Sequence, residues 1–295
     1  MIKPFAPDSP DDAEDCALVA RGQEGSRDAL EALIGRHQAW IYNIARRMLY
    51  HVQDAEDATQ EVLIKVVTNL STFDGRSRFR TWLYRICVNH LLNTKRGMFE
   101  EAFEGGFSDY ARGLDNTPDR ELPDSNAVPA DVQLLVSEAM LGCTSGMLLC
   151  LDRQQRMTYI LGSIFGVPDV VGAELLETSR DNFRQRLARA RRDLHSFMHG
   201  QCGLVNAANS CRCARKTQGF IEAGYVDPAR LIFASERMTR VRDVAGQAYE
   251  RLEVLDVAYA DIHRNQPFHD SPDFVGALRQ LMDTPAFKSM MEPRL

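Results

Sequence analysis

Apolar residues recur at intervals of three and four along most of the chain, which is the spacing of amphipathic helices. The pattern runs from Cys16 to about Gly97, and it resumes near Val132 and continues to Met198. A further long helix is expected over 234–264, and Ser271-Pro272-Asp273 precedes a shorter one that carries Phe274, Leu278 and Leu281. No stretch of the first region alternates between apolar and polar residues as a strand does, so the pattern predicts an all-α fold.

Glycine, proline and acidic residues divide this helical pattern into segments. Residues 98–130 are rich in all three and predict a flexible linker. We therefore expect two helical domains joined by a flexible linker, followed by a mostly helical C-terminal extension. The expected segments are a flexible N-terminus (1–20), a helical bundle (21–97), the linker (98–130), a second helical domain (131–199) and the extension (200–295).

The composition is that of a globular protein: 44% of the 295 residues are hydrophobic and 26% are charged. No apolar run approaches the roughly 20 residues that cross a bilayer, and the first residues lack the pattern of a secretory signal. We therefore expect a cytoplasmic protein with no membrane partner. Seven cysteines without an export signal argue against a framework of disulfides.

The net charge of −6 conceals two basic segments. Residues 76–96 carry six Arg and Lys and no acid, and residues 180–192 carry six Arg against one Asp. Between them, residues 100–124 carry eight acids against two Arg. Two basic faces with an acidic connector indicate nucleic-acid binding more than an evenly acidic enzyme does.

The first basic segment, FDGRSRFRTWLYRICVNHLLNTKR (73–96), mixes cations with aromatic residues. Cations neutralise phosphates and aromatic faces stack on unpaired bases, so the segment suits opened DNA. Phe79 and Trp82 can equally be core anchors of the bundle. Both interpretations hold if one side of the helix packs while the other binds.

The preceding helix, DAEDATQEVLIKVV (54–67), places acidic and amide side chains on one face. Asp54 is expected to cap the helix, with Asp57 three residues on. Taken alone, this face predicts only a solvated surface. Its polar positions are Asp54, Asp57, Gln60 and Glu61.

Residues 151–194 have the parts of a helix-turn-helix: a helix, a glycine break, a short helix that starts at Pro168, a tight turn and a basic helix. Ser179 is a suitable N-cap for the basic helix. Residues in the first turns of such a helix meet base edges, and later arginines hold phosphates. The candidates are Ser179, Arg180, Asn182, Arg184, Gln185, Arg186, Arg189 and Arg191.

The segment HSFMHGQCGLVNAANSCRC (195–213) concentrates thiols and imidazoles. Tetrahedral zinc takes such ligands, and Cys202, Cys211, Cys213 and His199 form the candidate set. The C-x-C spacing is less usual for zinc than C-x-x-C. Free cysteines in a loop and a redox-active thiol pair are the alternatives.

Residues 26–97 and 132–198 resemble, in this order, the extracytoplasmic-function group of bacterial RNA polymerase sigma factors. The run from FRTWLYRI through Asn89 to Lys95-Arg96 carries the most specific part of this resemblance. The resemblance implies that Asp54, Asp57, Gln60 and Glu61 lie on a helix that docks on the β′ clamp of core RNA polymerase. It also implies that the first basic segment opens the promoter −10 element and that the basic helix recognises the −35 element. The −10 candidates are Arg76, Arg78, Phe79, Arg80, Trp82, Tyr84, Arg85, Asn89, Asn93, Lys95 and Arg96.

The second domain departs from the family pattern in two places. Val171-Gly172-Ala173 stands where the family usually has a Glu-Ile-Ala core, and Glu177-Thr178 stands in the turn where a glycine is commoner. Asn93, in the first domain, replaces a frequent Asp. A glycine inside a helix costs roughly 1 kcal/mol relative to alanine.

The resemblance implies a non-enzymatic specificity subunit whose partners are core RNA polymerase, promoter DNA and an anti-sigma factor. A cysteine-rich tail resembles that of some metal- or stress-responsive members of the group, so a regulatory role is expected for it. The alternatives are a helix-turn-helix repressor that does not bind polymerase and a zinc-dependent nucleic-acid-binding protein. Binding to core polymerase separates the first alternative from a sigma factor.

Overall fold

The computed structural model describes residues 11–120, 130–233, 262–264 and 266–284. These ranges contain helices and no strand, apart from one isolated bridge between Cys202 and Cys211, so the all-α prediction is confirmed. The helices are α1 (Asp11–Gln23), α2 (Arg27–Leu49), α3 (Val52–Thr68), α4 (Phe79–Asn93), α5 (Met98–Ala102), α6 (Phe107–Asn116), α7 (Ala130–Gly146), α8 (Arg153–Tyr159), α9 (Asp169–Leu175), α10 (Arg180–Gln201), α11 (Cys213–Glu222) and α12 (Phe274–Met282).

Helices α1 to α4 form the first bundle, with α2 at its centre. Ser26 caps α2 by accepting a hydrogen bond from the Ala29 amide at 3.4 Å. The apolar stripe of α2, which includes Leu33, Ile41 and Ile44, is completely buried against α1, α3 and α4. Burial of this stripe from water is the main force that holds the bundle together.

The sequence predicted a flexible N-terminus over residues 1–20, and from Asp11 onward this is wrong. Helix α1 begins at Asp11 and packs on α2. Asp15 is the reason. Its carboxylate is 1% exposed and accepts hydrogen bonds from Arg36 at 2.7 Å and from Arg80 at 2.9 Å. His37 Nε2 lies 3.3 Å from Asp15 Oδ2. A buried carboxylate with these partners fixes α1 to two other helices.

Burial alone raises the pKa of Asp15, but the hydrogen bonds and charges of His37, Arg80 and Arg36 outweigh it and hold that pKa well below its usual range. We therefore expect Asp15→Asn to destabilise the fold by about 3 kcal/mol at pH 7, because it removes the buried carboxylate of this network and leaves the buried Arg80 guanidinium with the more exposed Asp12 at 3.3 Å as its acidic partner. The carboxylate stabilises the fold fully above about pH 5, and its contribution shrinks as pH falls toward the lowered pKa. Urea unfolding of both proteins between pH 7 and pH 3 measures the difference.

Glu14→Gln is the matched control, because Glu14 contacts the same Arg36 at 2.5 Å from an exposed position. An exposed pair of this kind contributes about 0–1 kcal/mol. Equal losses in the two variants would show that the buried position of Asp15 confers no special stability.

The linker was predicted to be flexible over residues 98–130, and for residues 98–116 this is wrong. Two helices, α5 and α6, occupy most of that range, and Tyr110 and Leu114 are buried. Aromatic residues spaced by three or four positions explain the ordering: Phe103 and Phe107 pack against the core on the same side as Tyr110. The acidic charge count concealed this apolar face. Residues 121–129 lie outside the described ranges.

Helices α7 to α10 form the second domain. Ser179 caps α10, as predicted, by accepting a hydrogen bond from the Asn182 amide at 3.1 Å. Asp152 caps α8 by accepting a hydrogen bond from the Gln155 amide at 2.8 Å. Pro168 is the N-cap of α9, one position before the predicted first turn. Both domains contribute to one continuous hydrophobic core.

One helical stretch of this domain, Val132–Cys150, contradicts the expectation that no apolar run approaches membrane-spanning length. It spans 19 residues with a mean hydropathy of 1.4. Half of the stretch is buried inside the fold, as in the core helix of a globular domain.

The described part of the C-terminal extension packs on both domains. Asn43 exchanges two hydrogen bonds with the backbone of His269, at 2.8 and 2.9 Å, and Phe274 packs against Tyr42. Toward the second domain, Gln266 donates to Thr144 at 3.2 Å. The predicted helix α12 is present, and Asp273 accepts from the Gly276 amide at its start. Most of the helix predicted over 234–264 lies outside the described residues.

Candidate nucleic-acid and polymerase interface

Helix α3 presents the predicted acidic face to solvent. Asp57, Gln60 and Glu61 are exposed and Asp54 is half-buried, while the opposite face of the helix is in the core. The expected N-cap is wrong, because the cap position lies three residues earlier, at His51, whose side chain makes no capping hydrogen bond. Asp54 instead lies in the first turn, where a carboxylate is favoured by the helix dipole.

Helix α4 and its flanks divide the predicted −10 residues into two groups. The exposed group lies at the two ends of the helix and consists of Arg76, Arg78, Asn89, Asn93, Lys95 and Arg96. Trp82 and Arg85 are half-buried. The buried group is Phe79, Arg80 and Tyr84, which are 2%, 4% and 0% exposed.

Burial corrects the prediction for those three residues, which cannot reach DNA in this conformation. Phe79 and Tyr84 are core side chains of the bundle, and Arg80 is committed to Asp15. Burial raises the pKa of Tyr84 well above its usual value, so its phenol stays neutral. The sequence could not separate these residues from their exposed neighbours, because cations and aromatics alternate on both faces of this helix.

Trp82 lies at the edge of an aromatic cluster. Its ring centroid is 5.5 Å from that of Phe73 and 5.8 Å from that of Phe79. This position is compatible with both interpretations of the side chain, because Trp82 packs on two aromatic rings and is nevertheless only half-buried.

A groove of about 810 Å³ runs between α3 and α4 and brings the two predicted surfaces together. One wall carries carboxylates and the other carries amides and cations. Its lining includes Asp54, Asp57, Glu61, Lys65, Asn89, His90, Asn93, Lys95 and Arg96.

Lys65 and His90 are groove residues that the sequence analysis did not identify. Lys65 Nζ lies 2.6 Å from His90 Nδ1, and Glu61 Oε2 lies 3.6 Å from His90 Nε2. Desolvation and the neighbouring ammonium lower the pKa of His90, so the imidazole is neutral at neutral pH and can accept from Lys65. The available signal was the spacing of Lys65, four residues after Glu61 on the same helix.

The helix-turn-helix is present, and the structure explains the glycine in α9, one of its two departures from the family pattern. A Cβ at Gly172 would overlap Cε2 and Cζ of the Phe183 ring, so the glycine lets α9 lie directly on α10. Glu177 has φ +50° in the turn, the left-handed conformation that glycine favours. The Glu177 carboxylate lies 3.8 Å from Arg85 of the first domain.

The predicted −35 residues are exposed except Arg186, which is half-buried and donates to Gln154 at 2.9 Å. They lie on two sides of α10: Asn182, Gln185 and Arg189 share one side, whereas Arg191 lies on the other and donates from Nε to the Ser163 hydroxyl group at 2.9 Å. Asp169, at the start of α9, was not identified from the sequence, and its carboxylate contacts both Arg180 and Arg184. Desolvation raises the pKa of Asp169, but these two guanidinium groups outweigh it and lower that pKa. The carboxylate therefore orients the first two arginines of α10.

The two candidate DNA-binding elements contact each other. Helix α4 packs on α9, and Arg85 Nη2 lies 3.4 Å from Glu174 Oε1. A predicted −10 residue is thus paired with the helix-turn-helix in this conformation.

The predicted zinc ligands do not assemble into a site. Among the described residues, no group of three or more His, Cys, Asp and Glu side chains is arranged to hold a metal ion. His199 is exposed. Its backbone carbonyl oxygen, and not its imidazole, accepts the hydrogen bonds from Asn206 and Asn209. Burial raises the pKa of Cys202, Cys211 and Cys213, so these free thiols stay protonated at neutral pH. Zinc at this segment stays a prediction that the arrangement does not support.

Comparison with known proteins identifies the first domain. The family model Sigma-70 region 2 matches residues 33–97. RNA polymerase sigma-H factor of Pseudomonas aeruginosa is 39% identical over 80 residues, which are 27% of this chain and 42% of that protein. ECF RNA polymerase sigma-E factor of Haemophilus influenzae is 26% identical over 182 residues, covering 60% of this chain and 91% of that protein.

A solved structure, CnrH in complex with the cytosolic domain of CnrY, covers 63% of this chain and 97% of that chain, with 22% identity and a TM-score of 0.44. The match to sigma-H spans less than half of that relative. The chain therefore carries a sigma-70 region 2 domain. Its homologues are RNA polymerase sigma factors of the extracytoplasmic-function type.

We expect Gly172→Ala to destabilise the protein by about 1–3 kcal/mol, because the added methyl group must displace the Phe183 ring. Helix propensity alone predicts the opposite sign, a gain of about 1 kcal/mol. Thermal unfolding distinguishes the packing effect from the propensity effect when Gly172→Ala is compared with Gly113→Ala. Gly113 is the control, since nothing lies within 4 Å of a Cβ at that position. Stabilisation by both substitutions would contradict the close packing of α9 on α10.

Proposed function

We propose that this protein is a sigma factor that directs core RNA polymerase to specific promoters and assists their opening. The observation that carries the proposal is the match of region 2 to residues 33–97, which contain both the exposed acidic face and the cationic wall of one groove. The protein itself catalyses no reaction in this proposal, because the polymerase performs the chemistry.

The acidic face of α3 is proposed to bind the β′ clamp. Asp57, Gln60 and Glu61 project into solvent from a helix whose other face is locked into the core. A rigid helix that presents preformed charges loses little conformational entropy when it binds.

The exposed end of α4 is proposed to bind the −10 element. Asn89 and Asn93 lie one helical turn apart and carry the donors and acceptors that base edges require, and Lys95 and Arg96 extend the same wall with charge for phosphates. Trp82 is proposed to stack on an unpaired base. Arg85 contributes only after DNA displaces Glu174 and Glu177.

The exposed face of α10 is proposed to bind the −35 element in the major groove. Asn182 and Gln185 are the candidates for base edges, and Arg189 for a phosphate. Arg191 contributes to phosphate binding only after it releases the Ser163 hydroxyl group, to which its Nε donates at 2.9 Å. An anti-sigma partner and a cytoplasmic location follow from the same proposal.

Charge reversal on α3 tests the polymerase contact. We expect Glu61→Lys to weaken binding to purified core polymerase by at least about tenfold, equivalent to about 1.4 kcal/mol. Run-off transcription from a library of promoter fragments is expected to fall with it. Glu24→Lys is the control, because Glu24 is an exposed acid outside this face.

One outcome would contradict the sigma-factor proposal, and another would contradict the role of the acidic face. Specific DNA binding without any binding to core polymerase would indicate the helix-turn-helix repressor instead. Equal binding of both variants to core would remove the acidic face from the interface.

The phosphate role of Arg189 has its own measurement. We expect Arg189→Ala to weaken binding of a promoter fragment and to reduce the slope of log K against log salt by about 1, because one phosphate contact is lost. Arg112→Ala removes an exposed arginine of α6 and should leave the slope unchanged. An unchanged slope in Arg189→Ala would place that residue outside the DNA interface.

A further inference from the structure

The loop that joins α10 to α11 brings two cysteines side by side. Cys202 ends α10, and its backbone forms a parallel bridge with that of Cys211. Adjacent paired strands lie about 4.8 Å apart. Disulfides join residues whose Cα atoms are about 4.4–6.8 Å apart, so the bridge places this pair within the range that a disulfide requires.

The close approach of the two segments depends on Gly203. A Cβ at this position would overlap the Cys211 carbonyl oxygen and the Arg212 guanidinium. Any other side chain would push the segments apart.

Side chains of the loop then hold it closed. Arg212 donates to the carbonyl oxygens of Ala207 at 2.8 Å and Cys211 at 3.0 Å. Asn209 Nδ2 donates to the Cys202 carbonyl oxygen at 3.2 Å and to that of His199 at 2.9 Å. These bonds keep Cys202 and Cys211 adjacent without a metal ion.

The two thiols differ in accessibility. Cys202 is 6% exposed, whereas Cys211 is partly open to solvent. An oxidant therefore meets Cys211 first, and Cys202 is the neighbouring thiol that resolves the product. Reactive pairs of this kind occur in reducing compartments as transient, redox-sensing disulfides.

We propose that Cys202 and Cys211 form an oxidisable dithiol that closes the loop between α10 and α11 with a disulfide. The oxidant is a peroxide. The Cys211 thiol gives up its proton as its sulfur attacks one peroxide oxygen; the O–O bond breaks, the S–O bond of a sulfenic acid forms, and the leaving hydroxide takes up that proton and departs as water. The Cys202 thiol then gives up its proton as its sulfur attacks the sulfenic sulfur; the S–S bond forms, the S–O bond breaks, and the leaving hydroxide takes up the proton and departs as a second water. The two thiols lose two electrons and two protons in total, and the peroxide is reduced to water.

Two further cysteines lie near this pair and are the competing partners. Cys213 opens α11, and α11 packs on α7, which carries Cys143. Cys143 Sγ lies 3.6 Å from the Tyr110 hydroxyl group. Neither is paired with Cys202 through the backbone in the described part of the chain, so the bridge favours Cys211.

The tryptic map separates these possibilities. Cleavage after Arg192 and Arg212 releases residues 193–212, which contain both Cys202 and Cys211, while Cys213 leaves in the peptide 213–215. The full chain, purified under reducing conditions, is treated with hydrogen peroxide, alkylated with N-ethylmaleimide and digested. We expect peptide 193–212 to lose two hydrogens and to carry no alkyl group, and reductant to restore two alkylation sites.

Single substitutions provide the matched controls. Cys213→Ser is expected to leave the intrapeptide disulfide intact, and Cys211→Ser is expected to abolish it. Gly203→Ala is expected to cause loss of the product because the segments separate. Circular dichroism of each variant shows that the helices have formed.

Three results would overturn the proposal: full alkylation of both cysteines after peroxide treatment, cross-linking of peptide 193–212 to peptide 213–215, or oxidation to sulfinic acid without a disulfide. The readout is independent of polymerase and promoter, so failure of the proposed function would leave it unaffected.

Discussion

The arrangement of the two domains depends on one buried cation. Arg156 of α8 is 1% exposed, and its guanidinium donates to the Met48 carbonyl oxygen at 2.8 Å and to Glu100 at 3.2 Å. It also donates to the carbonyl oxygens of Leu148, Leu149 and Leu151. A buried charge without such partners would cost several kcal/mol. Satisfying it requires α2, α5 and the turn before α8 to meet at one point.

Arg153 strengthens the same junction. Its guanidinium donates two hydrogen bonds to Glu100 in a bidentate pair, at 2.8 and 2.7 Å. The Glu100 carboxylate therefore binds both Arg153 and Arg156. Burial raises the pKa of Glu100, but these arginines outweigh it and lower that pKa, which keeps the carboxylate charged. The linker helix α5 is therefore a structural part of the junction between the domains. The contact of α4 with α9, and the pairing of Arg85 with Glu174, follow from this junction.

The cysteines of the C-terminal extension suit a disulfide better than the zinc site that their sequence spacing predicted. Thiols and imidazoles close together in the sequence predicted zinc. In the described part of the chain the backbone bridge joins Cys202 to Cys211, where Gly203 and Arg212 close the loop tightly, and His199 is exposed. Two adjacent thiols are sufficient for a disulfide and insufficient for a tetrahedral metal site.

Periodicity and local chemistry were sufficient to predict most helices of the two domains and the Ser179 cap, because these depend on neighbours within a few residues. The acidic face of α3 was predictable for the same reason. The burial of Asp15 and Arg80, the ordering of α5 and α6, and the fit of Gly172 against Phe183 depend on residues far apart in the chain. Only tertiary packing decides these features, because a charge or a glycine is stabilising or destabilising according to the partner that folding brings to it.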